Sequence, residues 1–226
     1  MNPLMNLDQR DLILFDLDGT LVDSARDLYR AMNLTLDELN RPRVTEDQIR
    51  IWVGKGASQL CQCVIEHQDQ VFDAKAHQQL FECFLEIYEA NVCVDSVLYE
   101  GVLGFLDYCE TQDKTLVCVT NKPYQPAVAL LKALGIFNRF ALVLGGDSLA
   151  QRKPHPMPLL YPMQEFQKNT HQTLMIGDSR NDVEAARAAG VDCIVLSYGY
   201  NHGEDIQACQ PQLVIDSLEE LVLEYK

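Results

Sequence analysis

Short apolar runs, each ending in polar or turn residues, recur along this chain and are separated by segments with helical spacing. Runs that are apolar at every position are typical of parallel strands buried on both faces. The segments between them, such as 102–111, 127–134 and 183–189, are long enough to be the helical crossovers that parallel strands require. The pattern therefore predicts an α/β fold with a doubly wound parallel sheet. The predicted strands are residues 12–15, 116–119, 141–144, 174–176, 193–196 and 213–215.

The stretch from residue 24 to residue 94 breaks this alternation. It contains no convincing strand, and apolar residues such as Leu80 and Phe84 recur there at helical spacing. We interpret 24–94 as an inserted helical cap domain. Residues 1–23 and 95–226 then form the α/β core domain.

Composition limits the partners of the protein. Hydrophobic residues make up 47% of the 226 positions, which is enough for a full core. The net charge is -15 and the basic residues are scattered, which argues against binding to nucleic acid or to an anionic membrane. The first ten residues lack a cationic start followed by an apolar stretch, and no apolar run is long enough to span a membrane. We expect a cytoplasmic protein that binds a small molecule.

Two carboxylates, those of Asp16 and Asp18, follow the first predicted strand directly. The carboxyl ends of the strands are where open α/β sheets bind ligands. Residues two apart on a strand point to the same side, so one acid can be a nucleophile and the other a proton donor. An isolated Asp-x-Asp is more commonly a turn or a helix cap, so this interpretation depends on the other strand ends.

Three further strand ends carry polar residues of complementary chemistry. Thr120 and Asn121 stand at the start of a predicted helix, where an anion is favoured, and are candidate phosphate donors. Lys153 is followed by stiff residues and can present a fixed positive charge. Asp178 and Asp182 offer oxygen ligands of the kind that magnesium prefers. Each feature alone has an ordinary explanation, a helix start, a solvated lysine or a capping box, but together they converge on one edge of one sheet.

In this order, the four segments closely resemble the four sequence motifs of the haloacid dehalogenase superfamily, and the resemblance spans almost the whole chain. The matching residues are Asp16-x-Asp18-Gly-Thr-Leu, Thr120, Lys153-Pro154 and Gly177-Asp178-x-x-x-Asp182. This resemblance implies a Rossmann-like core with an inserted helical cap.

The resemblance also implies a role for each residue at the sheet edge. Asp16 would attack phosphorus, and Asp18 would protonate the leaving group and then activate water. Thr120, Asn121 and Lys153 would bind the transferring phosphoryl group. Mg²⁺ would be held by Asp16, the backbone carbonyl of Asp18 and Asp178, and Asp182 would orient these groups.

The substrate is predicted from the second acid and from the cap. Superfamily members that cleave carbon–halogen or carbon–phosphorus bonds lack an acid at the position of Asp18, so the resemblance implies a phosphatase or a phosphomutase. Further matches, at 22–24, 52–57, 145–147, 177–182 and 198–201, resemble the bacterial phosphoglycolate phosphatases and imply 2-phosphoglycolate as substrate.

Gly54 and Lys55 in the cap, and Arg180 within the last motif, are the candidates for binding the rest of the substrate. Lys55 lies between two glycines, where it could meet a substrate carboxylate, although a solvated lysine in a mobile turn has the same sequence. The alternative substrates are a sugar phosphate, a nucleoside monophosphate or N-acetylmuramate 6-phosphate, and the alternative reaction is that of a sugar phosphomutase. We expect a monomer or a homodimer.

Overall fold

The core of the protein is a six-stranded parallel sheet with the strand order β5-β4-β1-β6-β7-β8. The structure is a computed structural model that describes residues 7–223. The six strands of the sheet coincide closely with the six predicted apolar runs. In chain order the strands are β1 Leu12–Phe15, β2 Val22–Asp23, β3 Val97–Leu98, β4 Thr115–Val119, β5 Leu142–Leu144, β6 Thr173–Gly177, β7 Asp192–Leu196 and β8 Leu213–Ile215.

Helices cover both faces of this sheet. Alternate residues of β1 enter two different apolar clusters, Phe15 with one layer of helices and Leu14 with the other. The predicted doubly wound α/β fold is therefore confirmed. Among the helices within residues 7–223, none has the length and apolar character that a membrane crossing requires. The helices are α1 Ala25–Glu38, α2 Glu46–Trp52, α3 Ala57–Asp69, α4 Ala74–Ala90, α5 Val102–Thr111, α6 Tyr124–Ala133, α7 Met157–Glu165, α8 Arg180–Ala189 and α9 Glu220–Leu223.

Helices α1 to α4 form a continuous stretch, residues 25–90, which we call the helical segment. Their apolar faces build a third cluster, around Leu60, Leu80 and Phe84, that is distinct from the two clusters of the sheet. The short strands β2 and β3 pair antiparallel on either side of the segment, so its two connections to the sheet run side by side. Paired strands this short were not predicted from the sequence.

A buried carboxylate on α1 holds the end of the helical segment to its beginning. The Asp27 side chain is fully buried and accepts backbone N–H bonds from Val94 at 3.0 Å, Asp95 at 2.9 Å and Ser96 at 2.8 Å. It also accepts a 2.6 Å bond from the Ser96 hydroxyl, and Arg30 lies 3.6 Å away. The two connections are therefore tied together by charge-assisted hydrogen bonds.

Candidate active site

The sheet brings the predicted acids to one edge. Strands β1 and β6 are adjacent and in register, with Phe15 opposite Ile176, so Asp16 and Asp178 emerge side by side at their carboxyl ends. Strand β4 lies on the other side of β1 and delivers Thr120 to the same edge. Because parallel strands end together, residues far apart in the sequence meet in one site.

A lysine lies between two of these carboxylates. The Nζ atom of Lys153 is 3.0 Å from Asp16 Oδ1 and donates to Asp182 Oδ1 at 2.7 Å. Asp16 Oδ1 also accepts the backbone N–H of Leu17 at 2.7 Å. The three charged side chains are almost completely buried, so their positions are fixed and their interactions are little screened by solvent. This arrangement provides a pre-positioned positive charge beside the candidate nucleophile.

The remaining oxygens of the acidic cluster are also held by hydrogen bonds. Asp182 Oδ2 accepts the backbone N–H groups of Asp178 and Ser179, at 3.2 and 3.0 Å, and the Ser179 hydroxyl at 2.8 Å. Asp178 accepts the Thr20 hydroxyl at 2.6 Å and the backbone N–H of Tyr200 at 2.6 Å. Asp182 thus holds both the Lys153 ammonium and the backbone of residues 178 and 179 through hydrogen bonds.

Gly19 allows the first loop to approach Asp178 closely. Its φ of +89° lies in the left-handed region, and a Cβ built there would be 2.3 Å from Asp178 Oδ2. Any side chain would displace the carboxylate. The glycine after Asp18 is therefore needed for the geometry of the acidic cluster.

The acidic cluster fits a divalent cation. One carboxylate oxygen each from Asp16, Asp178 and Asp182 lies within 4.8 Å of the others, and all three residues are buried. Burial raises the pKa of Asp16 to about 7 even though Lys153 opposes the shift. Burial and the neighbouring carboxylates also raise the pKa of Asp178 well above its ordinary value. Carboxylates with such pKa values are stabilised in the charged form by a bound cation, and an all-oxygen donor set suits a hard one.

The buried charges at this edge do not balance among the described side chains. Four carboxylates lie there, and the buried cations that contact them are the ammonium groups of Lys122 and Lys153. The excess negative charge is what a divalent cation would neutralise. The four acids are Asp16, Asp18, Asp178 and Asp182.

Asp18 has its own set of partners. Lys122 Nζ lies 3.0 and 3.1 Å from its two oxygens, and the Ser24 hydroxyl donates to Oδ1 at 2.5 Å. The same ammonium lies 4.6 Å from the ring centroid of Tyr88 on α4. Lys122, Ser24 and Tyr88 were not assigned to the site from the sequence, although the position of Lys122 directly after Thr120 and Asn121 was a usable signal.

Asn121 links the sheet edge to the helical segment. Its amide nitrogen donates to the backbone carbonyls of Gly54 at 3.1 Å and Lys153 at 3.0 Å. Its side-chain oxygen is buried and has no partner among the described residues. In this arrangement the Asn121 amide hydrogens are used within the protein. The backbone N–H of Lys122 donates to the Thr120 hydroxyl at 3.2 Å, which leaves the proton of that hydroxyl for a ligand.

A cavity lies between the sheet edge and the helical segment. Asp18, Thr120 and Asn121 line the cavity on the side of the sheet edge. Gly54 and Tyr88 line it on the side of the helical segment. Its open volume is about 30 Å³, room for about two water molecules. The site is therefore nearly closed in this conformation.

Two of the predicted substrate-binding side chains are not brought into this cavity. Lys55 is exposed and does not line it, whereas its neighbour Gly54 does. The Arg180 guanidinium is bound by Glu204 at 2.5 Å and its side chain is 40% exposed at the surface. The structure thus collects the residues of the sheet edge but not the two cations chosen from the sequence.

Comparison with known proteins agrees with this fold. The chain matches the haloacid dehalogenase-like hydrolase family over residues 13–196. It therefore belongs to that family.

Individual relatives are similar over nearly the whole chain. A phosphoglycolate phosphatase of Colwellia psychrerythraea is 42% identical, covering 98% of this chain and 100% of the relative. One of Nitrosococcus oceani is also 42% identical, covering 95% and 96%. The crystal structure of a predicted phosphoglycolate phosphatase from Haemophilus somnus has a TM-score of 0.91 at 35% identity, covering 96% of this chain and 99% of that one. The predicted family and the predicted class of enzyme, a phosphatase, are confirmed.

Proposed function

We propose that this protein is a magnesium-dependent phosphatase that hydrolyses 2-phosphoglycolate to glycolate and phosphate. The observation that carries the proposal is the buried Asp16 carboxylate, held by Lys153, with Asp18 beside a closed cavity. The substrate is supported by the relatives named above, which are phosphoglycolate phosphatases at 42% identity. A cytoplasmic enzyme, active as a monomer or a homodimer, is the form that we expect for this activity.

In the first step we propose that Asp16 attacks phosphorus, so that a bond from its carboxylate oxygen forms while the bond to the alkoxide breaks. Asp18 gives a proton to the leaving oxygen. Lys153 and the Thr120 hydroxyl bind the phosphoryl oxygens as their charge is redistributed. In the second step Asp18 accepts a proton from water, which hydrolyses the aspartyl phosphate and restores both acids.

The acidic cluster would hold the magnesium ion that this chemistry uses. Its ligands would be the carboxylates of Asp16 and Asp178 and the backbone carbonyl of Asp18. When bound, the ion neutralises negative charge on the transferring group and on Asp16. Asp182 would keep the loop and Lys153 in place, as its hydrogen bonds indicate.

We further propose that residues 24–94 form a cap domain over a core domain of residues 1–23 and 95–226. The separate apolar cluster of the helical segment and the cavity beneath it support this division. The open volume of the cavity is smaller than a phosphate ester, so we expect the cap to move when substrate enters. Closure over bound substrate would then exclude bulk water from the reacting groups.

Phosphate release by the purified protein with Mg²⁺ tests the proposal. We would rank kcat/KM for 2-phosphoglycolate, a sugar phosphate, a nucleoside monophosphate and N-acetylmuramate 6-phosphate. A lead of about 100-fold for 2-phosphoglycolate, about 2.7 kcal/mol of transition-state discrimination, supports the substrate assignment. A larger value for another ester overturns that assignment, and no phosphate release from any ester overturns the activity. A requirement for a bisphosphate activator would indicate a phosphomutase.

A further inference from the structure

The cavity contains two polar groups that the proposed chemistry does not use directly, the ammonium of Lys122 and the hydroxyl of Tyr88. Lys122 is 5% exposed and Tyr88 is 2% exposed, and both line the cavity. They come from different parts of the fold, Lys122 from the loop after β4 and Tyr88 from α4. Polar groups buried this completely need a partner of complementary chemistry.

Lys122 lies where the leaving group must be. Its ammonium is 3.0 and 3.1 Å from the two oxygens of Asp18, the group proposed to protonate the ester oxygen. In 2-phosphoglycolate a single methylene separates the ester oxygen from the carboxylate. A substrate whose ester oxygen contacts Asp18 therefore has its carboxylate within reach of the same ammonium, which has three hydrogens to donate.

Tyr88 supplies a second donor at the same place. Its ring centroid is 4.6 Å from Lys122 Nζ, and its buried hydroxyl interacts with that ammonium but has no acceptor for its own proton among the described residues. Burial raises the pKa of this hydroxyl to about 12, so it keeps its proton at neutral pH and can donate. A carboxylate would satisfy both the hydroxyl and the ammonium.

Apart from Asp18 and Lys122, the residues that line the cavity carry no charge. Leu28, Leu60 and Phe84 line the side contributed by the helical segment, and Lys122 is the one cationic side chain that lines the cavity within residues 7–223. An apolar wall around the Lys122 ammonium selects a ligand by its charge and its size. An anion of the wrong length does not reach the ammonium and gains no ion pair there.

We propose that Lys122 and Tyr88 form the subsite that binds the carboxylate of a short phosphorylated acid. The proposal rests on the phosphatase function above and names the residues that select its substrate. It replaces the candidates chosen from the sequence, because Lys55 is exposed outside the cavity and Arg180 is held by Glu204.

The test compares two esters of similar size that differ in charge, 2-phosphoglycolate and 2-hydroxyethyl phosphate. Both use the same phosphoryl chemistry, so the ratio of their kcat/KM values reports the subsite alone. Tyr88→Phe removes only a hydroxyl that interacts with the Lys122 ammonium, and we expect it to lower the ratio roughly 10-fold. Lys122→Met should lower the ratio roughly 100-fold or more, in addition to any loss shared by both esters through Asp18. Tyr161→Phe, at an exposed tyrosine on α7, is the matched control and should leave the ratio unchanged.

The outcomes separate this inference from the proposed function. No phosphate release from either ester by the unmodified protein would contradict the phosphatase itself. Hydrolysis with equal losses for both esters in Tyr88→Phe and Lys122→Met would keep the phosphatase and overturn the subsite. A lowered ratio in Lys55→Met, with none in Tyr88→Phe, would also overturn the subsite and place carboxylate binding on the cap turn.

Discussion

Replacing Asp27 with asparagine tests the connection that ties the two ends of the helical segment. The carboxylate is fully buried and accepts hydrogen bonds from three successive backbone N–H groups and from the Ser96 hydroxyl. Asparagine has nearly the same shape, so no cavity forms. Its NH2 group, however, must replace one accepting oxygen, and the negative charge that strengthens every bond is lost.

The expected cost follows from these contacts. A hydrogen bond to a charged group contributes about 1.5–3 kcal/mol, and a buried donor left without a partner costs a similar amount. If the asparagine oxygen takes the position of Oδ2, its NH2 group faces the N–H of Asp95 and the Arg30 guanidinium. The 2.9 Å bond from Asp95 is then lost, its N–H keeps only the longer 3.1 Å contact with the remaining oxygen, and the other bonds weaken. We expect Asp27→Asn to reduce the free energy of unfolding by about 3 kcal/mol. For a chain of this size, that corresponds to a decrease in Tm of about 6–12 °C.

Thermal unfolding followed by circular dichroism measures this effect, and urea unfolding gives the free energy independently. Asp37→Asn is the control because Asp37 lies on the same helix but its side chain is 43% exposed and pairs with Arg43 at the surface. We expect little change in its Tm. A decrease below about 2 °C for Asp27→Asn, or equal decreases for both variants, would refute the argument that the buried carboxylate stabilises this connection.

Three further predictions concern the acidic cluster. Asp16→Asn should lower phosphate release at least about 10⁴-fold with an unchanged circular dichroism spectrum, and near-normal turnover would contradict its role as nucleophile. Asp178→Ala should raise the Mg²⁺ concentration needed for half-maximal activity, as a magnesium titration would show. Mg²⁺ should raise Tm more at about pH 8 than at about pH 5.5. Burial raises the pKa of Asp16 to about 7, so protons compete with the cation for this carboxylate at low pH. In the metal-free protein, the stability that comes from protonated Asp16 is lost as the pH rises through that value, and the bound cation then has more to restore. Equal shifts at both pH values would contradict this competition.

The sheet could be predicted because each of its strands is a run of apolar residues. The predicted strand at 174–176 and the observed Thr173–Gly177 differ only at the ends, where Thr173 and Gly177 are buried but do not extend the run of large apolar side chains. β2 and β3 have two residues each, too few to show any period. The order of the strands depends on contacts between distant segments, so it was not available from periodicity.

Asp16 and Asp178 were predictable because each follows a strand directly, and parallel strands deliver such residues to one edge. Asp18 lies in the loop after Asp16, and Asp182 lies in the first turn of α8. Lys122 and Tyr88 were harder to assign because their contact joins a loop of the core to α4, residues that are distant in the sequence. Lys55 and Arg180 were chosen for their charge. Their exposure depends on how the helical segment and the Arg180–Glu204 pair are arranged in space, which residue type does not reveal.

The two hydrogen bonds of the Asn121 amide have a thermodynamic consequence. One acceptor, the carbonyl of Gly54, belongs to the helical segment, and the other, the carbonyl of Lys153, belongs to the loop that carries the ammonium beside Asp16. If the segment moves as proposed, its docking and the ordering of that loop become linked equilibria that share one side chain. By reciprocity, a phosphoryl group that orders the Lys153 loop favours the docked segment by the same free energy with which docking favours phosphoryl binding.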